Sequence, residues 1–182
     1  MTETEAKAVA IDARQRHTGL PVELCDLGIT TGLPNAGSVH GVMRLKGIVA
    51  ERREQPLGPG MLSADQWQAA EWWLGRRAMW LRCIDAPGRE TVELPNEAPE
   101  LVGLDPAARA RWLREWAHRV RTEWADISAC LAEAQAAARS PVIAAFDVLL
   151  VRNQPVEHME GDLRIGLNAV HSRFLAGHRQ AA

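Results

Sequence analysis

The chain has no tyrosine, two phenylalanines, two lysines (Lys7 and Lys46) and three cysteines. Cys25, Cys83 and Cys130 are an odd number with no CxxC spacing. They do not make a disulfide frame or a cysteine zinc site, and they read as reduced thiols. No apolar run approaches the ~18 to 20 residues of a membrane span. The acidic start, Met1-Thr-Glu-Thr-Glu-Ala, lacks the apolar core of a secretory signal. The expectation is a cytoplasmic protein that does not touch a membrane.

Enzyme signatures are missing too. Gly37-Ser-Val-His-Gly41 does not bracket its serine as a nucleophile elbow requires. Gly28, Gly32 and Gly37 are not followed by the GK[ST] of a phosphate loop, and they read as turn formers. The six histidines, His17, His40, His118, His158, His171 and His178, form no i, i+4 zinc pair with a carboxylate. We therefore expect no catalytic residues, no metal and no cofactor.

What is present is a globular composition. The 182 residues are 47% hydrophobic and 24% charged with a net charge of −2, which suits one domain with a small appended unit. Nineteen of the 21 basic residues are arginine. All seven tryptophans lie between Trp67 and Trp124. Side chains that large must fill a core or stack on something.

The periodicity is helical throughout. Residues 1–62 are turn-rich, with short helices predicted over Glu5 to Arg16 and Ser38 to Arg52. Ser63-Ala-Asp-Gln66 has the S-x-x-Q form of a capping box and opens a predicted helix over 64–85. Residues 86–105 are acidic and proline-rich and read as a mobile linker. Asp105-Pro106 restarts a helix that runs to Arg139, with Trp112, Trp116, Val120, Trp124 and Leu131 as its apolar stripe. Ser140-Pro141 caps another helix reaching about Asn153, and the last starts near Asp162. No alternating β pattern occurs, so the fold predicted is all-α. It is a helical bundle built on a Trp-rich pair over 63–139, with a hairpin or helix-turn-helix-like unit over 140–182.

Two stretches suggest function. Arg109 to Arg121 is the most basic part of the chain, and a nucleic-acid groove competes there with an amphipathic helix whose tryptophans face inward. The second is Arg139 to Arg179, which resembles the helix-turn-helix of sigma-factor region 4 and related bacterial regulators. Val142 to Arg152 matches the first helix, Pro155-Val-Glu-His-Met the second, and Ile165 to Phe174 the recognition helix. The resemblance implies base contacts by Leu167, Asn168 and His171, and phosphate contacts by Arg164, Ser172, Arg173 and Arg179. Glu160 and Arg164 stand where that pattern has a small residue and a turn glycine. The stripe Leu163, Leu167, Val170, Phe174 fits equally a terminal hairpin packed on the core.

More widely, Ala13-Arg-Gln-Arg-His-Thr-Gly19, Met43-Arg-Leu-Lys-Gly-Ile48, Leu62-Ser-Ala-Asp-Gln-Trp-Gln-Ala-Ala70 and Pro141-Val-Ile143 resemble small alphaproteobacterial prophage proteins. That resemblance implies a regulatory or DNA-packaging accessory. The function expected is thus non-enzymatic binding of double-stranded DNA. Residues 106–182 carry a net +2, so weak attraction per copy favours a homo-oligomer that gains by avidity. The alternative is an adaptor whose helix 106–139 docks a protein partner without DNA.

Overall fold

The computed structural model describes residues 37–85 and 103–177. The helix predicted over Glu5 to Arg16, most of the acidic linker and Arg179 lie outside these residues. The described chain is all-α, with no strand among the described residues.

The first three helices begin at side-chain caps. Ser38 caps α1 (Val39–Arg52), its Oγ accepting the Gly41 N–H at 3.1 Å. Ser63 and Gln66 close the capping box of α2 (Ala64–Asp85). The Gln66 N–H donates to Ser63 Oγ at 3.2 Å, and the Ser63 N–H donates to Gln66 Oε1 at 3.0 Å. Asp105 opens α3 (Pro106–Ala138) by accepting the Ala107 and Ala108 N–H groups at 2.8 and 2.9 Å, with Pro106 in the first turn. Arg139, at φ 53°, turns the chain out of α3. α4 opens at Val142–Ala145 and continues in π-helical winding over Phe146–Val151. Asn153, also at φ 53°, reverses the direction. α5 starts with a 3₁₀ turn, Glu157–Met159, continues as Glu160–Val170 and ends in π-helical winding, His171–Leu175.

The helices divide into two compact units that do not follow sequence order. The first joins residues 37–71 to 130–177, and the second is 72–129. The first unit's core is aliphatic around one ring. Met43, Leu62, Val142, Phe146, Leu149, Leu163, Leu167 and Val170 are at most 2% exposed. Gly166 lets α5 lie flush on α4, because a Cβ there would strike Phe146 and come within 2.6 Å of Val142 Cγ1. Gly47 does the same on α1, where a Cβ would collide with the Leu62 carbonyl. Asn153 ties the C-terminal hairpin to the start of α1. Its Oδ1 accepts the Val39 N–H at 2.6 Å and its Nδ2 donates to the Gly37 carbonyl at 3.4 Å.

Within the first unit His40 is buried against Trp67, with ring centroids 5.2 Å apart, and its Nε2 meets Glu71 Oε1 at 2.9 Å. Burial lowers its pKa below the ordinary histidine value, and the Glu71 hydrogen bond only partly offsets this.

The second unit is an antiparallel pair, since Arg76 meets Glu123 while Cys83 meets Ala117. Its fully buried side chains are few: Trp73, Cys83, Val120 and Ile127. The tryptophans expected to face inward do so only in part. Of the seven, Trp73 alone is buried and the rest are half-buried. Two helices have one shared seam, which is too narrow to enclose six indoles.

Two outcomes follow for stability. Gly166→Ala should cost about 1–3 kcal/mol by overpacking. Gly161→Ala, in the same helix with open space at its Cβ, should gain about 0.5–1 kcal/mol. Urea denaturation reads both. His40 has a depressed native pKa, so the unfolded chain takes up a proton that the native state refuses. Stability should therefore be full above about pH 6.5 and fall as the pH drops below it. The fall should be smaller in His40→Gln.

Candidate nucleic-acid interface

The C-terminal hairpin carries the residues that the helix-turn-helix resemblance nominates. Its second and third helices are one continuous helical run here. From Glu157 to Leu175 no residue has positive φ, so neither Gly161 nor Arg164 makes a turn. An arginine resists the left-handed conformation that the turn would need, and the stripe of Leu163, Leu167 and Val170 rewards an unbroken helix.

Most of the nominated side chains make contacts within the first unit, although of the six described only Leu167 is buried. Leu167 is 0% exposed, packed in the core, and has no route to a base edge. Arg164 is half-buried and donates Nη1–H to the Gly58 carbonyl at 2.8 Å. Asn168 is exposed, but its Oδ1 accepts from Gln66 Nε2 at 3.0 Å. The capping box of α2 is thereby extended onto α5. His171 is half-buried, with Nε2 3.8 Å from Asp65 Oδ1. Arg173 pairs with Glu133 at 2.8 Å, tying α5 to the end of α3. Ser172 is exposed and makes no such tie. The base-reading role of Leu167 is thus corrected, because the stripe assigned to a groove is the stripe that packs on α4. Arg164, Asn168 and Arg173 each tie α5 to a different part of the unit, Asn168 and Arg173 from exposed positions.

The second unit shows the opposite use of charge. Over Pro106–Arg121 there are five arginines against one glutamate, a net of +4, with His118 besides. Arg109, Arg111, Arg114, Arg119 and Arg121 are all exposed. None of them forms an ion pair among the described residues. Val120 and Ile127 point into the helix pair, so at ~100° per residue Arg111 and Arg114 point away from it, while Arg121 flanks it near enough for its charge to act on Cys83. Arg109, Trp112, Trp116 and Arg119 follow one another at spacings of 3, 4 and 3, which aligns them along one ridge. The Trp112 and Trp116 rings lie within 6° of parallel, with centroids 6.5 Å apart.

No family model, curated protein or solved structure matches the chain. The reading therefore rests on geometry.

Trp80 and Trp124 stack across the helix pair at 5.0 Å and 15°, and Trp73 meets Trp124 at 5.7 Å. Arg76 lies 5.4 Å over the Trp72 ring and 3.2 Å from Glu123, so this end of the pair is held by its own contacts. Burial raises the Cys83 thiol pKa, with the Arg121 charge opposing it, and the side chain packs inside the helix pair. Among the described residues no three His, Cys, Asp or Glu side chains are placed to hold a metal. No helix there is long and apolar enough to cross a membrane.

The ridge was half visible in the sequence. The basic stretch Arg109 to Arg121 stands out by composition, but the inward assignment of Trp112 and Trp116 hides their alignment with Arg109 and Arg119. The i, i+3, i+7, i+10 spacing is the signal that finds it.

Leu167→Ala should lower stability by about 2–5 kcal/mol as a core truncation. Ser172→Ala, on the exposed side of the same helix, should stay within about 0.5 kcal/mol of the parent. Equal costs in urea denaturation would contradict the packed placement of α5.

Proposed function

We propose that the protein is a non-enzymatic nucleic-acid-binding accessory of regulatory or DNA-packaging type, and that it binds through the first four turns of α3. One observation carries this reading. Five exposed arginines without an ion pair among the described residues surround one glutamate over Pro106–Arg121, while Arg164 and Arg173 of α5 are engaged within their own unit. Arginine side chains that keep their charge free can displace counterions from phosphates, which makes affinity salt-dependent. The chain as a whole carries −2, so the attraction is local and modest per copy. A homo-oligomer would add basic helices along one nucleic acid and gain by avidity. The adaptor reading has its own support in the half-buried Trp112 and Trp116, whose uncovered edges suit an apolar partner helix.

Fluorescence anisotropy with labelled DNA over a salt series separates the two. Binding should weaken as salt rises. Arg109→Ala/Arg119→Ala together should reduce the slope of log K against log salt by about two, and Arg173→Ala should leave it unchanged. No binding at about 50 mM salt would remove the nucleic-acid reading in favour of the adaptor.

A further inference from the structure

The form of nucleic acid follows from the tryptophans beside the arginines. Duplex bases hide their faces in the stack, so a duplex uses the arginines and leaves the indoles idle. Unpaired bases offer faces, and single strands are held by aromatic platforms combined with positive charge.

Three features of the ridge fit the second case. Trp112 and Trp116 sit on successive turns of one helix and are half-buried, so part of each ring stays open to solvent. Among the described residues their ring contact is with each other, whereas Trp73, Trp80 and Trp124 are joined across the helix pair. Their planes are nearly parallel, and their 6.5 Å centroid separation is close to twice the ~3.4 Å step of stacked bases. Arg109 and Arg119 bracket the pair, one turn away at each end. From Arg109 to Arg119 the ridge spans ten residue steps, about 15 Å at ~1.5 Å per residue, which matches roughly four stacked nucleotides. The positive charge around it complements a polyanion and disfavours a second copy of the same ridge.

We propose that the Arg109–Trp112–Trp116–Arg119 ridge binds single-stranded nucleic acid, with unpaired bases stacked on the two indoles and the arginines on the flanking phosphates. The inference rests on the nucleic-acid reading above and specifies its ligand. Trp112 and Trp116 select the unpaired strand, and Arg109 and Arg119 supply the salt-dependent part of the affinity.

The test is a titration of the full chain, at fixed salt, with oligothymidylate and separately with its duplex with oligoadenylate. Intrinsic tryptophan fluorescence and anisotropy are both followed. The single strand should quench the fluorescence and bind more tightly than the duplex. Trp112→Ala and Trp116→Ala should each weaken single-strand binding about fivefold to a hundredfold. They should leave duplex binding and the salt slope nearly unchanged. Trp112→Phe and Trp116→Phe keep an aromatic face and should retain most of the affinity, and circular dichroism of all four variants shows whether the helices persist.

Duplex binding as tight as single-strand binding, with folded Trp variants unaffected, overturns the stacking proposal while the nucleic-acid reading stands. Binding of neither ligand at low salt overturns both. Binding of an acidic amphipathic peptide and no nucleic acid also overturns both, and it assigns the ridge to a protein partner.

Discussion

The close approach of α5 to α4 at Gly166 governs the first unit. With no Cβ in the way, the two helices meet at the Phe146 ring and the Val142 methyls. That contact sets the rotation of α5 about its own axis. Leu163, Leu167 and Val170 must then face α4, and every other side chain of α5 inherits its direction from them. Asn168 is turned toward Gln66 and Arg173 toward Glu133, so polar groups that a sequence pattern offers to DNA become ties to α2 and α3. A larger residue at 166 would have pushed the helices apart and loosened all of these assignments together.

The two units spend their arginines differently. In the first, Arg44 makes a two-point contact with Glu51 at 2.7 and 3.1 Å and also donates to the Leu62 carbonyl, while Arg164 and Arg173 hold a loop and a helix end. These contacts give direction to packing more than they add stability, because exposed pairs are worth little each. Among the described residues of the second, Arg76 of α2 is employed in this way, on Glu123 and Trp72. The five arginines of Pro106–Arg121 are exposed and form no ion pair among the described residues.

Much of the secondary structure was legible because its signals are short-range. The Ser63–Gln66 box and the Asp105-Pro106 start each satisfy backbone N–H groups within one turn, and both helices begin where those residues place them. Ser140-Pro141 precedes α4 directly, but the cap expected there does not form, since Pro141 holds the cap position and makes no side-chain bond to the first turn. The sequence points to a start of the last helix near Asp162, but a 3₁₀ turn begins it at Glu157, where no capping side chain marks the boundary. The orientation of Trp112 and Trp116 was not legible, because it depends on how much of the opposite helix lies alongside, and one helix's periodicity does not contain that. The destination of Asn168 was equally hidden, since its partner Gln66 lies 102 residues away.

Asn153 stands at the end of α4, yet it completes the start of α1, 114 residues earlier in the chain. The first unit is assembled from the two ends of the described chain, with residues 72–129 inserted between them. On the ribosome, where the chain emerges from its N-terminus, α1 must therefore wait for translation to pass Asn153 before its first turn finds this acceptor. The inserted helix pair depends on neighbours much closer in sequence and faces no such delay. The order of emergence thus puts the Arg- and Trp-bearing pair ahead of the aliphatic core, which closes only when the C-terminal hairpin reaches α1 and the front of α2.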